Sequence, residues 1–235
     1  MTNAHISSAF DTDLAAVQAQ IMKMGGLVED AIRLGIESLE TRDQELAQQV
    51  RAADRAIDGL EEAINDAAAR IIALRAPTAI DLRLVLSVIK ISGNLERIGD
   101  YAKNMAKRNE VLSRGDPISD CIGTLRRMTR VVQGMLKDVL DAYIQRDSAL
   151  AADVIARDLD VDQIYNALFR ELLTFMMEDP RKITACLHLH FIAKNTERMG
   201  DHVTSIAEQV IYLSTGKHPD DARTKADTTS TVSGV

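Results

Sequence analysis

The chain contains one seven-residue phrase twice, and this internal duplication constrains its fold more than any other feature. The first copy reads NLERIGD at residues 94–100, and the second reads NTERMGD at residues 195–201, which is 101 positions later. A second match, Arg42-Asp43 and Arg146-Asp147, has a spacing of 104 residues. A period of about one hundred residues is too long for a solenoid repeat and is typical of a duplicated small domain.

The composition predicts an all-α fold. Hydrophobic residues make up 46% of the chain and charged residues 27%, whereas aromatic residues make up only 3% and tryptophan is absent. Only four prolines and twelve glycines interrupt the 235 residues, and the alternating pattern of β-strands is nearly absent. We therefore expect a helical protein with a core of aliphatic side chains and methionine.

Apolar residues at spacings of three and four predict six long helices. Their ranges are 8–39, 43–74, 77–112, 119–145, 148–177 and 180–213. Asp43 is a candidate N-cap for the second helix. Pro77 and Pro180 are candidates for the first turn of the third and sixth helices.

The short loops between these helices predict antiparallel neighbours, so each half is expected to be an up-down-up three-helix bundle. We expect two tandem bundles at residues 8–114 and 118–214, with the Gly-Pro-containing linker 113–117 between them. Residues 216–235 are polar and aperiodic, which is typical of a disordered tail.

Charge and cysteine content exclude several classes of protein. A net charge of −7 argues against nucleic-acid binding. The sequence shows no signal peptide and no apolar run of transmembrane length. Cys121 and Cys186 lack the spacing of a disulfide or metal motif, which favours reduced thiols in a cytoplasmic protein.

Two helices in each half carry acidic residues four positions apart. The repeated phrase provides Glu96 with Asp100 and Glu197 with Asp201. The preceding helix of each half provides aspartates at matching positions: Asp54, Asp58, Asp158 and Asp162. Like charges at this spacing repel and cost about 0.2–0.5 kcal/mol per pair. Because the chain contains such pairs twice, at equivalent positions, we predict that they have a function.

The two acidic pairs of each half are predicted to meet. Asp58 lies 19 residues before Pro77 and Glu96 lies 19 residues after it, so an antiparallel hairpin brings both to the same height. We call the resulting groups the first cluster (Asp54, Asp58, Glu96 and Asp100) and the second cluster (Asp158, Asp162, Glu197 and Asp201).

Clustered carboxylates repel unless a positive charge neutralises them. Hard divalent or trivalent cations prefer such oxygen ligands. The alternative is that the carboxylates are solvated or paired with arginines: Arg51, Arg55, Arg97 and Arg198. Gly99 and Gly200, inside the repeated phrase, would allow close approach of a helix or a ligand.

Three functions remain open from the residues alone. The Glu-x-x-His motif of di-iron bundles is absent, as are a nucleophile elbow and a phosphate-binding loop. This favours a non-catalytic adaptor that binds cations. A metal-dependent, phosphohydrolase-like enzyme with a carboxylate-bridged metal cluster and a helical scaffold with solvated carboxylates are the alternatives. His202 is a possible peripheral ligand, although packing is the simpler role.

The duplicated Glu-x-x-x-Asp helices resemble those of the PhoU family, the phosphate-specific transport system accessory proteins of bacteria. The resemblance extends from about Phe10 to Leu213, and Asn104 matches a family position at which the second copy has Ser205. It implies two three-helix bundles, often in a homodimer, that bind iron, zinc, magnesium or manganese. It also implies a negative regulator of phosphate-starvation signalling that contacts the transporter's ATPase subunit and a sensor histidine kinase.

Overall fold

The computed structural model describes residues 2–115, 118–217 and 219. Its described residues form six α-helices and one short 3-10 helix: α1 (Thr2–Thr41), α2 (Gln44–Arg75), α3 (Ile80–Leu112), α4 (Ser119–Gln145), α5 (Ser148–Glu178), the 3-10 turn Pro180–Lys182 and α6 (Ile183–Thr215). The predicted all-α fold of six long helices is confirmed. Apart from residues 216, 217 and 219, the predicted tail lies outside the described residues.

The second helix of each half begins at an aspartate N-cap. The carboxylate of Asp43 accepts hydrogen bonds from the backbone N–H groups of Glu45 and Leu46, at 2.7 and 3.1 Å. Asp147 accepts the two equivalent bonds at the start of α5, from the N–H groups of Ala149 and Leu150. Because these carboxylates accept from N–H groups that have no acceptor within the helix, the first turn of each helix is stabilised. The N-cap prediction for Asp43 is confirmed.

The prediction for the two prolines is wrong for Pro77. Ala76 ends α2 in the left-handed conformation with φ 45°, and Ala79 has φ 50°, so helical geometry resumes only at Ile80. Pro77 therefore lies in the loop. In the second half, Pro180 begins the 3-10 turn that leads directly into α6.

Each half is a three-helix bundle with an aliphatic core, as predicted. Helices α1, α2 and α3 pack against one another, as do α4, α5 and α6. Fully buried side chains include Ile21, Ile64 and Ile98 in the first half and Leu125 and Val203 in the second. This burial removes apolar surface from water and stabilises each bundle.

Helices α3 and α6 pack antiparallel and, together with the contact of α1 with α4, join the two bundles. Near one end of the contact, Arg108 Nη1 lies 3.3 Å from His188 Nδ1. At its middle, the rings of Tyr101 and His202 lie 5.7 Å apart. The two helices that carry the repeated phrase are thus in direct contact.

The linker between the bundles is held by one arginine. The guanidinium of Arg42 donates hydrogen bonds to the carbonyl groups of Leu112 and Ser113, at 3.1 and 2.6 Å, and to that of Gly115. These carbonyls lie at and just beyond the last residue of α3, where the helix itself supplies no donor. The α1–α2 turn therefore fixes the direction in which the chain leaves the first bundle.

Both cysteines are buried and unpaired, in agreement with the prediction of free thiols. Burial, with the nearby Glu171 carboxylate, raises the pKa of Cys121 to about 12. A thiol of this kind stays protonated and is a poor nucleophile. Within the residues described, none of the helices combines the length and apolar character that crossing a membrane requires.

Candidate functional site

The first cluster forms where α2 and α3 face each other. Lys103, which follows Asp100 by three residues, extends its ammonium group between the two helices. Its Nζ lies 2.5 Å from Asp54 Oδ2 and 2.6 Å from Asp100 Oδ1. The structure therefore brings Asp54 of α2 and Asp100 of α3 to the same height, as the matched distances from the loop predict.

The other two carboxylates of the first cluster are also close together. Partial desolvation, together with the neighbouring charges of Asp54 and Asp100, raises the pKa of Asp58, and Lys103 only partly offsets this. Burial and the charges of Asp100 and Asp58 raise the pKa of Glu96, and Arg97 only partly offsets this. The charge of Asp58 on α2 thus acts on Glu96 of α3, as like charges that lie close together do.

Sequence reasoning missed two members of this group, Lys103 and Glu61. The negative charge of Glu61 contributes to raising the pKa of Asp58 and the pKa of Glu96. Both residues lie three positions from a predicted ligand, at the spacing that places side chains on one helix face. That spacing was the signal that could have found them.

Gly99 permits the close approach of α2 and α3 at the first cluster. A Cβ atom at this position would lie 3.0 Å from Cδ1 of Ile57, which itself lies between Asp54 and Asp58 on α2. Tight helix packing, rather than a ligand, therefore accounts for this glycine.

The second cluster is more deeply buried. Asp158, Asp162 and Glu197 are 7%, 3% and 4% exposed. A Cβ atom at Gly200 would lie 3.1 Å from Asp158 Oδ1, so the aspartate of α5 contacts the repeated phrase of α6 directly. Lys194 pairs with Glu197 three residues further along α6, at 3.0 Å.

The two peripheral candidates have different surroundings. His202 turns towards the first bundle, where its Nδ1 lies 2.8 Å from Oδ1 of Asn94. This contact supports a packing role between the bundles. Asn104 is half-buried one turn beyond Asp100 on α3. Ser205, the counterpart of Asn104, donates its hydroxyl to the backbone carbonyl of Asp201 at 3.0 Å.

Carboxylate oxygens of this kind suit a hard cation, but the first cluster already contains a positively charged side chain. In the first cluster Lys103 already provides a positive charge between two carboxylates, although Asp54 Oδ1 is buried and has no hydrogen-bond partner in the described part of the chain. Across the described residues, no three His, Cys, Asp or Glu side chains are placed to hold one metal ion as they stand. Metal ligation by either cluster stays a prediction.

Neutral replacements in the first cluster are expected to stabilise the metal-free protein. Because the folded pKa values of Asp58 and Glu96 are raised above their ordinary 3.8 and 4.5, these groups bind protons more readily when the chain is folded. Their contribution to stability is present at low pH and is lost as the pH rises through the raised values. At pH 7, Asp58→Asn with Glu96→Gln should raise the free energy of unfolding by up to about 1 kcal/mol, since both side chains are partly solvated.

Urea unfolding in the presence of a chelator measures this change. The control is Glu62→Gln, an exposed site on α2, which should have little effect at pH 7. A double variant less stable than the wild-type protein at pH 7 would show that the two carboxylates are favourably placed without a cation.

The geometry defines a class of protein: two tandem three-helix bundles, each with a carboxylate cluster between its second and third helices. A model of the PhoU domain family matches residues 21–108 and 125–210, once in each bundle. The chain belongs to the PhoU family.

Similar proteins match over nearly the whole chain. The phosphate-specific transport system accessory protein PhoU homolog of Caulobacter vibrioides is 47% identical over 226 residues, covering 96% of this chain and 98% of that protein. The homolog of Rhizobium meliloti is 45% identical over 236 residues, covering 100% and 99%.

Two crystal structures share the fold. That of PhoU from Pseudomonas aeruginosa has a TM-score of 0.86 at 40% identity and covers 88% of this chain and 100% of its own. That of the phosphate transport system regulatory protein PhoU from Streptococcus pneumoniae has a TM-score of 0.83 at 29% identity and covers 90% and 99%. The resemblance inferred from the repeated phrase is therefore confirmed.

Proposed function

We propose that this protein is a cytoplasmic accessory of phosphate transport that represses phosphate-starvation signalling when phosphate is plentiful. The observation that carries the proposal is the identity of 45–47%, over nearly the full length, to relatives named as accessory proteins of the phosphate-specific transport system. Identity at this level across both bundles supports a shared role. The protein acts by contact with the transporter's ATPase subunit and with a sensor histidine kinase, as a homodimer.

Metal cations are part of this proposal. The candidate ligands are the carboxylates of the two clusters, and iron, zinc, magnesium and manganese are the candidate ions. A bound cation would supply positive charge between the second and third helices of a bundle, fixing the surface that they present to a partner. The second cluster supports this role because it gathers buried carboxylate oxygens, which hard cations prefer as ligands, from two helices.

We propose that the protein has no catalytic activity. The sequence contains no nucleophile–base motif, and the two cysteines are buried thiols. Protein loaded with manganese should therefore leave a chromogenic phosphate monoester intact. Hydrolysis that is lost in the Glu96→Gln variant would favour the metal-dependent enzyme instead.

A reporter strain tests the regulatory role. In a strain that lacks the gene, a phosphate-starvation promoter should be several-fold more active in phosphate-rich medium than in the parent, and the wild-type gene should restore repression. Unchanged repression in the deletion strain would contradict the proposed regulation.

Complementation with the Asp158→Asn/Asp201→Asn variant tests the role of the cation, because a folded but metal-deficient protein should fail to repress.

A further inference from the structure

The pair formed by α3 and α6 has one side that no other described helix covers. Apart from the 3-10 turn, α3 packs against α1, α2 and α6, and α6 packs against α3, α4 and α5. Between residues 84 and 106 of α3 and between residues 185 and 213 of α6, only three residues of each helix are exposed. They are Leu86, Lys90 and Arg97 on α3 and Leu187, Phe191 and Arg198 on α6. We call these six residues the exposed strip.

The six residues of the exposed strip lie on one side of the molecule. At 100° per residue, Leu86, Lys90 and Arg97 fall within an arc of about 40° on α3. The three residues of α6 occupy the same positions of the repeat, 101 residues later. Equal positions point to the same side here, because the two helices are antiparallel and touch through equivalent residues, Tyr101 and His202.

The exposed strip is apolar and basic. None of its residues is acidic, although the chain carries a net charge of −7. Its three large apolar side chains keep 43–48% of their surface exposed. Arg97 reaches the carboxylates of Glu96 and Asp100 only at 3.6 and 3.9 Å, and 61% of its side chain is exposed. The charge of the strip therefore complements an acidic partner.

The strip has apolar ends and a basic middle. The contact of Asn94 with His202 places these two residues at the same height. Counted from there at 1.5 Å per residue, Leu86 and Leu187 lie in opposite directions and roughly 35 Å apart. The two arginines of the strip lie between the leucines, at nearly the same height as each other.

Phe191 has the features of a preformed anchor for a partner. The guanidinium carbon of Arg108 lies 4.4 Å from the centre of its ring and supports one face of it. A side chain that is already held in place loses little conformational freedom on binding. Aromatic residues and arginines of this kind supply much of the binding free energy at protein interfaces.

We propose that the exposed strip is the docking surface for an acidic amphipathic helix of a partner protein. Carboxylates in the middle of this helix would face Arg97 and Arg198. Apolar side chains at its two ends would pack on Leu86 and on Leu187 with Phe191. Separate side chains at fixed spacings suit a protein better than a lipid bilayer, since three partly exposed apolar groups insert little surface. This inference rests on the partner contacts of the proposed function and adds the surface that makes them.

Binding of purified proteins tests the inference. The probes are the transporter's ATPase subunit and the cytoplasmic region of the sensor kinase, measured by biolayer interferometry on the immobilised full chain. The wild-type chain should bind at least one of them, and more weakly as NaCl is added. Arg97→Gln/Arg198→Gln and Leu187→Ser/Phe191→Ser should each weaken this binding by at least about tenfold. The arginine variant should also lose most of the salt dependence.

The matched control is Arg127→Gln/Ile144→Ser, which changes an exposed arginine and a 50% exposed isoleucine on α4. It should bind as the wild-type chain does. Circular dichroism establishes that each variant is folded before its binding is compared. Unchanged binding by the folded strip variants would overturn the inference, as would a wild-type chain that binds neither probe.

Two further measurements separate this inference from its alternatives. The wild-type chain should not float with vesicles of phosphatidylglycerol and phosphatidylethanolamine, and flotation that Phe191→Ser abolishes would assign the strip to a membrane surface instead. In the reporter strain, both strip variants should fail to restore repression. If they repress fully, the inference is wrong, while derepression in the deletion strain still supports the proposed function.

Discussion

Replacing Ile57 by alanine is expected to lower the free energy of unfolding by about 2–5 kcal/mol. The Ile57 side chain is 1% exposed and packs against Gly99, between α2 and α3 at the first cluster. The helices cannot close this gap without moving Asp54 and Asp58, which flank it. The loss therefore includes both the transfer of the side chain and the cavity that remains. Thermal unfolding should show a fall in Tm of about 10 °C.

Leu74→Ala is the control for this prediction, since Leu74 lies on the same helix with 69% exposure. Its replacement removes little buried surface and should change the stability by less than about 0.5 kcal/mol. Similar effects of the two substitutions would mean that the α2–α3 contact is looser than its geometry indicates.

Asn109→Ala should be the second large loss, at about 2–3 kcal/mol. Its buried amide Nδ2 donates to the carbonyl groups of Ser38 and Asp43, each at 2.9 Å. The substitution removes both bonds, and the two carbonyl groups then keep only their backbone donors, the N–H groups of Asp43 and Ala47, at 3.0 and 3.3 Å. Because this turn also carries Arg42, hydrogen exchange should accelerate at the linker as well as at the turn.

Ser113→Ala provides the comparison, because Ser113 is half-buried in the same region. Its hydroxyl accepts a hydrogen bond from Gln44 at 2.6 Å and donates one to the carbonyl of Glu110 at 3.2 Å. We expect a loss below about 1 kcal/mol. If Asn109→Ala were no more disruptive than this, the two long-range bonds of its amide would contribute little to the folded state.

The helices could be predicted from the sequence because their signals are local. Apolar spacing and aspartate caps act within one or two turns, and the predicted ends lie within a few residues of those observed, except at the start of α1. The start of α3 could not be predicted in this way. Ala76 and Ala79 adopt positive φ angles that alanine rarely adopts, and no glycine marks them in the sequence.

In the candidate site, too, the features set by local sequence could be predicted and those set by long side chains or by the packing of the bundles could not. The meeting of Asp54 with Asp100 follows from helix periodicity and one tight loop, so it could be predicted. The three-residue spacing indicates only that Lys103 shares a helix face with Asp100. Its contact with Asp54 across the two helices could not be predicted, because a long side chain reaches its partner through several rotatable bonds. The direction of His202 depends on how the two bundles pack, which a repeat within one chain does not specify.

The contact between Tyr101 and His202 has a consequence for the origin of the fold. These two residues occupy the same position in the two copies, 101 residues apart, and they touch each other. Contact between equivalent positions is what an approximate two-fold rotation that exchanges α3 with α6 produces. The two bundles then resemble the subunits of an isologous homodimer. The surface that joins them is one that a half-length chain could use to pair with a second copy of itself.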